Sequence, residues 1–139
     1  MEILLIDDNS SDVMLFRKAL KAVASVSKLT VCEDGNKAMD YLLKAGSDLN
    51  AIRPDLIILD LKLPGISGLQ LLKFLKTDKI LRRIPVIILT DSGSAEDITD
   101  AYNLFANCFI IKPRDSDVFM KYVEYIDNFW STIVSIAKY

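Results

Sequence analysis

The feature that most restricts the fold is a run of four aliphatic residues, Leu56-Ile57-Ile58-Leu59, that stops on a carboxylate, Asp60. A strand that is apolar at every position has no face to give to water, so it belongs inside a parallel sheet covered on both sides. A second such run, Val86-Ile87-Ile88-Leu89, ends on Thr90. Glu2-Ile3-Leu4-Leu5-Ile6, Lys28-Leu29-Thr30-Val31-Cys32 and Cys108-Phe109-Ile110-Ile111 bring the number of strand-like runs to five. Apolar residues recur at helical spacing between them: Val13, Phe16, Ala19 and Leu20 within residues 11–24, then Ala38 and Leu42, then Leu69, Leu72 and Leu75, then Ile98, Ala101 and Phe105. Ser10 or Ser11 is expected to cap the first helix, with Asp12 in its first turn complementing the helix dipole, Ser94 to cap the fourth, and Ser116 a last helix over about 116–137. Strict alternation of strand and helix implies right-handed crossovers and an α/β sheet with helices on both faces. With 139 residues and no linker or repeat, the chain reads as one domain over 1–139.

Charge and residue usage remove several function classes. Lys and Arg number 17 against 19 Asp and Glu, so the formal charge of −2 gives no electrostatic case for nucleic acid or a membrane surface. The absence of histidine removes zinc sites of the usual kind and histidine-based acid–base catalysis. Cys32 and Cys108 lie in apolar runs and read as small buried hydrophobes. No signal peptide or bilayer-spanning stretch is evident, and the expected location is cytoplasmic.

In a parallel sheet the carboxyl ends of all strands reach one edge, where open α/β folds keep their chemistry. Asp7-Asp8, Asp60, Thr90 and Lys112 leave the strands at that edge. Crowded carboxylates repel one another and favour a hard divalent cation with oxygen ligands, Mg²⁺ being the natural candidate. A phosphoryl group arriving there would meet the cation, the Lys112 ammonium and the Thr90 hydroxyl, the charge stabilisers that phosphoryl transfer needs. Asp60, central in the sheet, is the best-placed nucleophile.

The ordered set Ile6-Asp7-Asp8-Asn9, Leu59-Asp60 with Pro64-Gly65 and Gly68, Leu89-Thr90, and Phe109 followed by Lys112-Pro113 resembles the response-regulator receiver domains of two-component signalling. The resemblance covers nearly the whole chain. It implies a flavodoxin-like, doubly wound five-stranded parallel sheet of order 2-1-3-4-5 with five helices. It implies that Asp60 accepts a phosphoryl group from a sensor histidine kinase, that Asp7, Asp8, Asp60 and the backbone carbonyl of Lys62 hold Mg²⁺, and that Thr90 and Lys112 bind phosphoryl oxygens. The Lys112-Pro113 bond would be cis. On phosphorylation Thr90 would move toward Asp60 and Phe109 would turn into the vacated space, reshaping the face made by the fourth helix, fifth strand and fifth helix. No enzyme activity is implied beyond self-catalysed transfer to Asp60 and slow hydrolysis of the aspartyl phosphate.

Two positions are less usual for such a site. Lys62 follows Asp60 by two residues and Asp91 follows Thr90, so a Lys62–Asp91 pair is expected as a possible gate over the pocket. The carboxyl end carries two apolar stripes, Phe119, Val123, Ile126, Trp130, Ile133 and Ala137 beside Val118, Tyr122, Tyr125, Phe129 and Val134, more than one face against the sheet requires. The Asn128-Phe129-Trp130 region, the polar stretch 47–53 and Ala106-Asn107-Cys108 are similar to the single-domain regulators that partner phytochrome-type kinases, which implies a homodimer through this C-terminal face. A phosphorylation-independent binding module of the same fold is the alternative. An aspartate-nucleophile phosphatase would want Asp-x-Asp after the first strand, and a flavin-binding domain a phosphate loop free of the Asp7-Asp8 charge.

Overall fold

A computed structural model describes residues 1–138 of the chain. Five strands, β1 (Glu2–Ile6), β2 (Lys28–Cys32), β3 (Leu56–Leu59), β4 (Val86–Thr90) and β5 (Cys108–Ile111), alternate with α1 (Ser10–Ala22), α2 (Gly35–Ser47), α3 (Gly68–Thr77), α4 (Ala95–Asn103) and α5 (Ser116–Asn128). All pairings are parallel, and the strand order is β2-β1-β3-β4-β5. The doubly wound α/β architecture read from the sequence is therefore the one observed.

The pleat sorts the core into two layers. Leu4, Ile6, Ile57, Leu59, Val86 and Ile88 face one side, where they meet Ala38 and Leu42 of α2, Leu71, Leu72 and Leu75 of α3 and Ala101 of α4. Their alternates Ile3, Leu5, Leu56, Ile58, Ile87 and Leu89 face the other side, against Phe16, Ala19 and Leu20 of α1 and Phe119, Val123 and Ile126 of α5. Successive strand side chains point to opposite faces, so a strand covered on both sides is apolar along its covered length, as β3 and residues 86–89 of β4 are.

Two helix caps and one helix end depart from expectation. Asn9, not Ser10 or Ser11, caps α1: its backbone is extended and its side chain accepts the Asp12 N–H. Asp115, not Ser116, caps α5, accepting from Asp117 and Val118. Ser94 does cap α4, accepting the Asp97 N–H.

The last helix does not run to residue 137. After Asn128 it loosens into a π-helical turn, Phe129–Ile133, and Val134 is extended. The Val134 N–H reaches back five residues to the Phe129 carbonyl at 2.9 Å, and Ser131 Oγ donates to the Asp127 carbonyl at 2.6 Å. A serine back-bonding to the preceding turn bends a helix, and the β-branched run Thr132-Ile133-Val134 gives little propensity to restore it.

Two glycines hold the turn after β3. Gly65 adopts φ +74, a conformation that side-chain-bearing residues rarely adopt. A Cβ on Gly68 would collide with the backbone of Asp60 and Leu61, so only glycine lets α3 begin directly beneath the Asp60 turn. The Lys112–Pro113 bond is trans, since no cis peptide bond occurs among the described residues. The cis expectation is corrected on that point. The lysine reaches its partners from the trans form, which is the preferred isomer of an X–Pro bond by about 0.5–1 kcal/mol.

Candidate functional site

The residues expected at the carboxyl edge of the sheet are brought together. The ladder continues just past the strands and sets their places: the Asp7 N–H bonds to the Cys32 carbonyl, that of Asp60 to Ile6, and that of Lys112 to Thr90. Asp7, Asp60, Thr90 and Lys112 are buried, whereas Asp8 is exposed. Asp60 is held by three donors. Its Oδ1 accepts from Thr90 Oγ1 at 2.7 Å and from the Lys62 N–H at 3.3 Å, while Oδ2 accepts from Lys112 Nζ at 3.0 Å. Lys112 Nζ also donates to Asp7 Oδ2 at 2.8 Å and Asp12 Oδ2 at 2.7 Å. Asp7 Oδ1 accepts the Asn9 N–H at 2.9 Å, tying the acid pair to the start of α1.

Burial raises the Asp7 carboxyl from 3.8 to about 6; hydrogen bonds from Lys112 and Asn9 oppose the rise, and the nearby Asp60 charge adds to it. Burial alone would lower the Lys112 ammonium, but its bonds to Asp12 and Asp7 outweigh that and hold it above its ordinary value. The lysine is therefore firmly charged, as a buried cation ringed by carboxylates must be.

An open cavity of about 490 Å³ adjoins the cluster, lined by Asp8, Asn9, Ser10, Asp60, Lys62, Thr90 and Asp91. Carboxylate oxygens of Asp7, Asp8 and Asp60 lie within 4.8 Å of one another. Oxygen-only donors with one exposed member suit a hard divalent cation that keeps some of its waters, so these residues fit such an ion. Lys62 and Asp91 both stand on the cavity wall and both are exposed, but no ion pair within 4.0 Å joins them. The expected gate is thus not formed. An exposed pair gains little from closing against the entropy of two free side chains.

Thr90 and Phe109, the two residues of the implied switch, stand on either side of the β4–β5 seam. The Thr90 hydroxyl is already on the Asp60 carboxylate. Phe109 is half-buried against the layer of α2, α3 and α4, its ring beside Gly93, and its N–H donates to the Tyr102 hydroxyl at 3.2 Å.

Asp12 is the site residue that the sequence reading missed, having been assigned only to the first turn of a helix. One signal could have found it. Asp7, Asp60 and Lys112 share the strand parity of Leu5, Ile58 and Ile110, which face the layer of α1 and α5, so a carboxylate in the first turn of α1 faces the lysine.

Comparison with known proteins places this geometry. The family described as the response regulator receiver domain matches residues 3–124. The chain belongs to the response-regulator receiver family. Among curated relatives, Response regulator Rcp1 of Synechocystis sp. is 37% identical over 134 residues, covering 96% of this chain and 91% of Rcp1. Among solved structures, the phosphorylated cyanobacterial phytochrome response regulator RcpA superposes with a TM-score of 0.91 at 36% identity, covering 99% of this chain and 98% of RcpA. The Mn²⁺-bound form of Rcp1 superposes with a TM-score of 0.90, also at 36% identity and covering 99% of each chain. This receiver domain therefore carries the divalent-cation site and the histidine-kinase relationship of two-component signalling, and its fold follows phytochrome-associated regulators along almost its entire length. No helix among the described residues is long and apolar enough to cross a membrane.

Proposed function

We propose that this protein is a stand-alone phospho-acceptor, taking a phosphoryl group on Asp60 from a sensor histidine kinase of the phytochrome type. The observation that carries the reading is the Asp60 carboxylate, held between the Thr90 hydroxyl at 2.7 Å and the Lys112 ammonium at 3.0 Å and open to the cavity. An Asp60 oxygen attacks the donor phosphorus. As the Asp60 O–P bond forms, the bond from phosphorus to the donor breaks, and the donor leaves with the electron pair. Lys112 and Thr90 then turn N–H and O–H bonds onto the phosphoryl oxygens, where charge develops. Asp7, Asp8, Asp60 and the backbone carbonyl of Lys62 would hold Mg²⁺, which when bound neutralises phosphoryl charge. Slow self-hydrolysis is the only other chemistry the site is assigned, and the site is expected to work in the cytoplasm.

The signal leaves through the α4-β5-α5 face. Thr90 ends β4, and Gly93 in the following loop lies against both Phe109 and Ile111 of β5. A phosphoryl group that draws Thr90 further from the β5 side would free Phe109 to repack, a local change with a two-state readout. That face exposes Tyr102, Phe105, Ile111, Val118, Tyr122, Tyr125 and Phe129, an apolar surface suited to a second copy of the chain.

The test is intact mass after incubation with Mg²⁺ and acetyl phosphate, beside Asp60→Asn. A phosphoryl adduct that requires both Mg²⁺ and Asp60 is the expected outcome. If neither acetyl phosphate nor beryllofluoride yields an adduct, the protein is a phosphorylation-independent binding module instead.

A further inference from the structure

The acceptor reading assigns no task to Asp12, and the surroundings of Lys112 supply one. An ammonium has three N–H donors and no acceptor. Here the three carboxylates lie at hydrogen-bond distance, Asp12 Oδ2 at 2.7 Å, Asp7 Oδ2 at 2.8 Å and Asp60 Oδ2 at 3.0 Å. Two of these acceptors are drawn into the reaction itself. Asp60 is the nucleophile, and Asp7 belongs to the triad that fits a divalent cation. Asp12 stands outside that triad. Its backbone is fixed independently, because the Asn9 side chain accepts its N–H at 3.0 Å in the first turn of α1.

We propose that Asp12 is a positioning residue, holding Lys112 Nζ beside Asp60 while Asp7 and Asp60 change partners. The inference rests on the acceptor reading. Before transfer, Lys112 is shared among three charged oxygens. Once an Asp60 oxygen is bonded to phosphorus, Asp60 is an acyl phosphate and a weaker acceptor, and the N–H it held turns to a phosphoryl oxygen. Asp7 then divides its charge with the cation. Asp12 alone keeps an unshared carboxylate for the ammonium through the whole sequence. Lysine is a point charge on a flexible four-carbon stem, so a fixed charge-assisted bond is what keeps it aimed. A role limited to complementing the α1 dipole would leave the Asp12 side chain indifferent to Lys112. Instead the two are joined by the shortest of the lysine's three contacts, with the lysine side chain 2% and the aspartate 18% exposed.

The test compares wild type, Asp12→Ala and Asp12→Asn, each confirmed as folded by circular dichroism. Phosphoryl uptake from acetyl phosphate is timed by intact mass at saturating Mg²⁺. The Lys112 ammonium is followed by ¹H–¹⁵N correlation, in which a lysine Nζ–H is seen only when sheltered from exchange. Asp12→Ala is expected to slow uptake roughly tenfold or more and to lose the Lys112 signal. Asp12→Asn keeps an amide oxygen for the ammonium, and it is expected to stay within about threefold of wild type and to retain the signal. Equal uptake in wild type and Asp12→Ala, or equal slowing in both variants, overturns the proposal, because position and not bare charge is at issue. Wild type that takes up no phosphoryl group overturns the acceptor reading and this inference with it, a failure visible before any variant is compared. If Asp12→Ala does not fold, Asp12→Ser, too short to reach the ammonium, takes its place.

Discussion

Asp7 carries the cost of gathering acids at one sheet edge. It is 2% exposed, and burial lifts its carboxyl from 3.8 to about 6. Between those values the folded protein binds more of this proton than the unfolded chain does. Stability contributed by this group therefore falls as pH rises through the window, and the penalty is complete above it. Asp7→Asn should remove the penalty while leaving an amide oxygen for Lys112. In the absence of divalent cation, the variant is expected to melt higher than wild type at pH 7.5 and to differ little at pH 4.5, where Asp7 is largely protonated. Thermal melts at the two pH values check this. A variant that is less stable than wild type at pH 7.5 would mean that the Lys112 pairing outweighs the burial of the charge. The same substitution removes a charged oxygen from the acid triad and should weaken Mn²⁺ or Mg²⁺ binding by calorimetry, so stability and cation affinity move in opposite directions.

At the scale of elements, the turn between β3 and α3 sets where Asp60 stands. Ser67 accepts the Gln70 N–H at 3.2 Å, and the Gln70 side chain accepts the Ser67 N–H at 2.8 Å, a reciprocal cap. Ser67→Ala removes one half of it and is expected to cost about 1 kcal/mol. Denaturant melts would show the loss as a lower midpoint with an unchanged slope, while Asp60 chemistry persists because Gly68 still fits under the turn. An unchanged midpoint would mean that solvent replaces the cap at no cost. The strands were legible because β3 and residues 86–89 of β4 are short, β-branched-rich runs without a polar residue, which suits a strand covered on both faces. The five carboxyl-edge residues followed from parallel topology alone. Caps were less legible: Asn9, Ser10 and Ser11 are all good capping residues, and the turn imposed by Asp7 on the Asn9 N–H decides among them. The end of α5 was not legible either. The apolar stripe continues to Ala137, whereas the break arises from Ser131 bonding the Asp127 carbonyl, which periodicity cannot register. Asp12 was read as a helix-dipole residue because its partner lies 100 positions away.

At the scale of the whole molecule, the two faces of the sheet are not covered alike. β5 is an edge strand, and its Ile111 is exposed beside the exposed residues of α4 and α5. Phe105 is 74% and Tyr125 63% exposed, so each is already in water in the single chain and contributes little to its folding. Replacing both, in Phe105→Ser with Tyr125→Ser, is therefore expected to leave the thermal midpoint nearly unchanged. The same pair should weaken self-association if a second copy covers this face, since buried aromatic anchors carry most of an interface's energy. Sedimentation of wild type and the double variant, with and without beryllofluoride and Mg²⁺, separates the outcomes. A wild-type dimer lost in the variant supports the face as the contact, and a dimer seen only with beryllofluoride places its control at Asp60. Wild type that remains a monomer in both conditions removes the homodimer from the function. The α4-β5-α5 surface would then be a docking face for a different protein, still coupled to the phosphoryl site through the contact of Gly93 with Phe109 and Ile111.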